Sequence, residues 1–338
     1  MNIKKIIIFL FLIISLFLII TINYISAQEI DFPWPMFQHD AQHTGRSSYA
    51  GPGIEYPEAQ ILINETDNDD FCYIITDSFG ILYFGARIGE NTGLYAFYPN
   101  GTQKWYYPIS SPCGSPVLGP GDGIYVLLPN NKQIIAINPN GTLEWEKNFT
   151  DLIPMNHLTI ENNGTLYFLA NTFNASSKLV SLNPLNGNVI WSYEIEGYLD
   201  SGISSPAVGQ NNTVYFGHND TLYAINPDGT EKWNRTFVAD CDYYTCYPKV
   251  TIPSIADNGT IYVVVNNERD WRSMTDQGRY NCLHAIDPVD PNQEKWSTKC
   301  LRGTTGPPTI DPEGNIYFSG WYNPMGQPIA YLYAIDPE

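Results

Sequence analysis

The chain repeats itself, and no other feature constrains its fold so tightly. Aligned with itself it yields LYAFYPNGTQKW ending at Trp105, IIAINPNGTLEW at Trp145, LVSLNPLNGNVIW at Trp191, LYAINPDGTEKW at Trp233 and LHAIDPVDPNQEKW at Trp296, then LYAIDPE. The tryptophans step by 40, 46, 42 and 63 residues, a period of four-stranded units once one insertion is allowed. Ahead of each piece lies a turn and a short apolar strand centred on Tyr83, Tyr125, Tyr167, Tyr215, Tyr262 and Tyr317. A small-residue strand comes before that, as SPVLG, SSPAVG, IPSIAD and PPTID. These segments are short, β-branched and aromatic, and turn residues bound them, so each repeat reads as four antiparallel strands with almost no helix.

A four-stranded sheet alone exposes two apolar faces, and such units become stable when stacked around an axis. The expectation is therefore all-β, a β-propeller of four-stranded antiparallel blades, spanning residues 60–338. The outer strand carries the repeated tryptophan, so Trp105, Trp145, Trp191, Trp233 and Trp296 are expected to pack blade against blade, burying ~150–250 Å² each. Five repeats are whole and the sixth lacks its tryptophan strand. Gln60 to Thr66, QILINET, alternates as an outer strand should. It is expected to complete the last blade and close a ring of six. The competing expectation is a piece of a seven- or eight-bladed ring, since an uncovered strand edge invites aggregation.

The N-terminus reads MNIKK, then an apolar run from Ile6 to Ile22, then small residues at Ser26 and Ala27. That is the pattern of a secretory signal, with residues 1–27 removed, 28–59 left as a leader segment and an extracytoplasmic, secreted or cell-surface destination. The run also approaches the ~17–25 residues of a spanning helix, so an uncleaved membrane tether is the alternative. Without Lys4 and Lys5, 15 Lys and Arg face 35 Asp and Glu. A net charge near −20 argues against nucleic-acid partners.

Export gives the cysteines a meaning. Cys72, Cys113, Cys241, Cys246, Cys282 and Cys300 form an even set, for which disulfides are expected in an oxidising compartment. Short separations favour Cys241 with Cys246 and Cys282 with Cys300, leaving Cys72 with Cys113. No CxxC supports a metal. Asn-x-Ser/Thr triplets begin at Asn64, Asn100, Asn140, Asn148, Asn163, Asn174, Asn211, Asn219, Asn234 and Asn258. Each is a glycan acceptor by pattern, although NGT is also what a tight turn into a strand looks like.

Repeats of A-x-N/D-P-x-G-x-x-W behind an IYF-type strand resemble the PQQ-like β-propeller repeat family, with its quinoprotein-dehydrogenase-like and BamB-like members. The leader WPMFQHDAQHTGRS, Trp34 to Ser47, is similar to the opening of exported members, so the resemblance runs over residues 34–338. It implies a propeller and leaves activity open. Dehydrogenase chemistry in that family would imply PQQ, Ca²⁺ held by Glu, Asn and Asp, an adjacent Cys-Cys pair and a catalytic Asp. Here Cys241 and Cys246 have four residues between them and no such acidic set stands out. No catalytic, cofactor or metal residue is therefore assigned.

Several residue groups invite a site. His39, Asp40 and His43 have the i, i+4 spacing of a helical metal pair, but without a third ligand the segment is expected to seal the ring exterior. Asp67, Asn68, Asp69 and Asp70 lack the Gly and distal Glu of a Ca²⁺ loop and read as a solvated turn. His157, His218 and His284 stand apart from any Ser or Cys partner. The loops joining second to third strands are more informative, because long loops on a rigid scaffold are where binding resides. The fourth repeat has only HND there, the fifth NNERDWRSMTDQGRYN and the sixth SGWYNPMGQP. Arg269, Trp271, Arg272, Arg279, Tyr280, Trp321 and Tyr322 concentrate the side chains that dominate interfaces. The reading is an exported, noncatalytic propeller that binds a protein or glycan partner; the alternative is a PQQ- and calcium-dependent oxidoreductase.

Overall fold

Turns rich in Asn, Asp, Pro and Gly separate short strands in the computed structural model, which describes residues 36, 40–43, 73–110, 116–199, 205–238, 246–269, 280–298, 301–302, 306–322 and 329–336. The chain divides into Met1–Phe32 and Pro33–Glu338, and all of these residues belong to the second part. Blade one is β1 (Ile75–Thr76), β2 (Leu82–Ile88), β3 (Asn91–Phe97) and β4 (Gln103–Pro108). Blade two is β5 (Val117–Leu118), β6 (Ile124–Leu128), β7 (Gln133–Ile137) and β8 (Leu143–Asn148). Blade three is β9 (Leu152–Ile160), β10 (Leu166–Thr172), β11 (Ser176–Leu182) and β12 (Val189–Glu196). Blade four is β13 (Ala207–Val208), β14 (Val214–His218), β15 (Thr221–Ile225) and β16 (Glu231–Thr236). Each is an antiparallel meander in sequence order. No α-helix occurs among the described residues; Pro120–Asp122 and Pro129–Asn131 are single 3₁₀ turns.

Blade five departs from the repeat. It runs β17 (Cys246–Val250), β18 (Ser254–Ile255), β19 (Ile261–Arg269), β20 (Tyr280–Ile286), β21 (Glu294–Ser297) and β22 (Leu301–Arg302). Both β17 and β18 pair with β19, and both β21 and β22 pair with β20. β17 pairs with Val265–Arg269 of β19 and β18 with Ile261 and Tyr262, while β21 pairs with His284–Ile286 of β20 and β22 with Tyr280 and Asn281, so each flanking strand is interrupted. Blade six shows β23 (Thr309–Ile310), β24 (Ile316–Tyr322) and β25 (Ile329–Ile335). The expected closing strand, residues 60–66, lies outside the described residues.

Burial follows position in the sheet. β6 and β14 are buried along their whole length, because both faces lie between neighbouring blades. The outer strands β8 and β16 alternate between exposed and half-buried, as the two-residue period of an edge strand requires. Each tryptophan of those outer strands bridges two blades. The indole packs on the tyrosine of its own blade at ring separations of 5.8 Å for Tyr83 with Trp105, 5.9 Å for Tyr125 with Trp145 and 5.7 Å for Tyr167 with Trp191. The pairs Tyr215 with Trp233 and Tyr262 with Trp296 repeat this at 5.8 and 5.7 Å. Its N–H donates to a proline carbonyl in the next blade's turn: Trp105 to Pro139, Trp145 to Pro184, Trp191 to Pro227 and Trp233 to Pro288, at 2.7–3.1 Å.

Glycine in that turn follows from the contact. Gly141 has φ +87°, and a Cβ there would lie 2.7 Å from the Trp105 ring; Gly229 has φ +85° and 2.8 Å to Trp191. A left-handed backbone and a close aromatic approach together leave room for glycine alone.

Candidate functional site

The short first strands β5, β13 and β18 are buried throughout. A turn of the leader lies against these inner strands. His43 N–H donates to the Asp40 carbonyl at 3.0 Å, closing the turn, and His43 takes φ 59°. Val208 N–H of blade four donates to the Ala41 carbonyl at 2.6 Å, and Ile255 N–H of blade five to the Gln42 carbonyl at 2.9 Å. Ser254 Oγ donates to the His43 carbonyl at 2.9 Å, and His43 Nε2 lies 3.4 Å from Thr159 Oγ1 of blade three. Four residues thus tie three blades together from the inside.

This corrects the expectation for the leader. It does not seal an exterior surface here, and His43 stands in a tight turn; His39 lies outside the described residues. His43 is 1% exposed. Burial is the main reason its pKa falls to about 4, and neighbouring His157 pushes the same way while Asp40 opposes. Burial likewise takes His157 down to about 4, and its ring meets Tyr73 edge-on at 5.4 Å. Both imidazoles are therefore neutral near pH 7.

The remaining histidines also stay apart. His218 Nε2 lies 2.9 Å from the Glu196 carbonyl. His284 Nδ1 meets Glu294, which also pairs with Arg235 of blade four at 3.1 Å. These contacts tie strands and blades. No group of three His, Cys, Asp or Glu positioned for a metal occurs among the described residues, and the acidic run at 67–70 lies outside them. Inner strands that carry Val208, Ile255, Ser254 and Thr159 and are bonded to the chain's own turn do not fit a stacked quinone with a calcium beside it.

The opposite ends of the strands carry different chemistry. Tight turns join first to second and third to fourth strands at one end; the loops joining second to third strands, and blade to blade, lie at the other. At this loop end β19 and β20 terminate in Arg269 and Tyr280, with Arg269 opposite Cys246 and Tyr280 opposite both Asn267 and Arg302. β24 ends in Trp321 and Tyr322, opposite Ala330 and Ile329. β22 lies beside β24, so the loop end of blade five adjoins blade six. Trp271, Arg272 and Arg279 lie outside the described residues.

Sequence reasoning missed a set of buried amides at this end. In blade three Asn171 and Ser177, cross-strand partners, hold the departing chain. Leu199 N–H donates to Asn171 Oδ1 at 2.8 Å, Asn171 Nδ2 donates to the Leu199 carbonyl at 3.1 Å, and Ser177 Oγ donates to the Gly197 carbonyl at 2.6 Å. In blade five the same ladder position holds Asn266 opposite Asn281, 8% and 1% exposed. Asn266 Oδ1 and both polar atoms of the Asn281 side chain are buried without a partner among the described residues. Each such group costs roughly 1–3 kcal/mol until something bonds it. The signal was visible as NNER and YNC flanking the long loop.

Radially stacked meanders, with tryptophans docking blade on blade and tight turns opposed to long loops, define a β-propeller, a scaffold whose specificity is carried by its loops. The model of the family described as outer membrane protein assembly factor BamB matches residues 80–280, and the chain belongs to that family. No curated protein matches it in sequence. Among solved structures, virginiamycin B lyase from Staphylococcus aureus is similar at TM-score 0.51 and 12% identity, covering 81% of this chain and 87% of that one. A protein from Lactobacillus plantarum is similar at TM-score 0.51 and 8% identity, over 81% and 90%. BamB from Moraxella catarrhalis aligns at TM-score 0.42 and 12% identity, over 80% and 99%. At such identities the likeness is one of fold.

Proposed function

We propose that this chain is an exported, noncatalytic propeller that acts as a binding or scaffold module at the cell surface, taking a protein or glycan partner at the loop end of blades five and six. One observation carries the noncatalytic half: the turn Asp40–His43 is bonded to the inner strands of three blades, where channel chemistry would need room and ligands. The family's description as an assembly factor supports a protein partner. Paired strand ends of blades five and six, and the buried amides of Asn266 and Asn281 beside them, support the place. Arg269, Trp271, Arg272, Arg279, Tyr280, Trp321 and Tyr322 are the proposed contact residues.

Export carries two further proposals. The β20–β22 ladder pairs Asn281 with Leu301. One more step along that register reaches Cys282 and Cys300, which supports their pairing; Cys241 with Cys246 and Cys72 with Cys113 complete the set. Either a cleaved signal or a retained apolar segment at residues 6–22 would place the propeller outside the cytoplasm, the second as a tether.

Titration of the oxidised chain 28–338 with PQQ and Ca²⁺, read by absorbance and thermal shift, tests the noncatalytic reading. No saturable binding at millimolar Ca²⁺ is expected. Saturable binding with dye-linked alcohol oxidation would overturn it.

A further inference from the structure

The Asn-x-Thr triplets are only partly absorbed by the fold. At Asn100 the side-chain oxygen accepts from Thr102 N–H at 3.0 Å and from its hydroxyl at 2.7 Å. Asn140 and Thr142 repeat this at 3.0 and 2.6 Å. Asn211 and Asn258 accept from Thr213 and Thr260 N–H at 3.2 and 2.9 Å. The fourth repeat makes the same turn with Asp228, whose carboxylate accepts from Thr230 N–H at 3.0 Å and its hydroxyl at 2.6 Å. The turn therefore uses one oxygen and does without an amide nitrogen. Nδ2 is what these four asparagines carry and Asp228 does not, and all four are exposed. Asn163 differs, since its side chain bonds Glu161.

These four positions share one end of the molecule. Each lies in a first-to-second or third-to-fourth strand turn, and the bonds from Trp105, Trp145, Trp191 and Trp233 to the next blade's turn set successive turns side by side. Three triplets reach the loop end, at Asn148 closing β8 and at Asn174 and Asn219 in the second-to-third turns of blades three and four. None lies in 266–281 or 319–328.

We propose that this chain is N-glycosylated at Asn100, Asn140, Asn211 and Asn258, coating its tight-turn end while the loop end of blades five and six stays bare for a partner. The co-substrate is a sugar linked through phosphate to a lipid carrier. Nδ2 attacks its anomeric carbon, the carbon–oxygen bond to phosphate breaks, the lipid phosphate leaves, and the amide loses one proton to the surrounding base. The proposal rests on the export reading.

The test is glycopeptide mass spectrometry on the chain isolated from its own cells, with Asn100→Asp and Asn140→Asp as variants that keep the turn, as Asp228 does. Sugar mass on the four turn peptides, lost singly in each variant with the melting temperature unchanged, is expected. Bare asparagines at these turns in exported protein would overturn the proposal alone. Cytosolic protein retaining residues 1–27 would overturn the export reading and this proposal with it.

Discussion

At the residue scale one indole does two jobs that can be separated. Trp145→Phe keeps the ring over Tyr125 and removes the bond to the Pro184 carbonyl, so it should cost about 1 kcal/mol. Trp145→Ala also removes the packing and should cost ~3–5 kcal/mol. Urea unfolding of both variants measures the difference. A residue-scale prediction also attaches to His43. Its folded pKa is near 4 and its unfolded value near 6.5, so the unfolded chain binds more protons between those values. The stability this group contributes is present above pH 6.5 and lost as pH falls toward 4. Replacing His43 by Gln should flatten that acid limb in melting temperature against pH. The tryptophans were legible in sequence because every contact recurs at one repeat's offset. His43 was not, because its carbonyl meets Ser254 across 211 residues and the bonds of Ala41 and Gln42 are made by backbone atoms that any side chain would carry.

Elements tell a similar story. Leu332 of β25 stands where Leu94, Ile134, Leu179, Leu222 and Leu283 stand in the other blades; those five are 0% exposed and Leu332 is 75% exposed. Among the described residues no fourth strand pairs with β25. Pairing by residues 60–66 would supply that cover, and eight residues would then separate that strand from β1, as eight separate β4 from β5. Leu62→Pro removes a ladder donor, so it should lower the melting temperature and speed hydrogen exchange in β25. Unchanged exchange there would argue for a longer ring. Strand type and order were readable because turn residues punctuate each repeat. The splitting of β17 from β18 and of β21 from β22 was not, since it is set by which residues of β19 and β20 each flanking piece pairs with, and no repeated motif marks that register.

For the whole molecule, the division of labour follows from topology. Meanders send tight turns to one end and long loops to the other, and a chain that plugs its own inner strands keeps its variable chemistry at the loop end. The loop residues themselves were named from composition, whereas the burial of Asn266 and Asn281 became apparent through their register, which matches that of Asn171 and Ser177. The measurement that bears most directly on the binding claim is partner capture by the exported chain and by its Trp271→Ala, Tyr322→Ala double variant, with the melting temperature of each. The account predicts that capture falls at least tenfold while melting shifts by less than about 2 °C, since side chains that serve a partner contribute little to folding. Undiminished capture, or a loss of capture matched by a loss of stability, would contradict it.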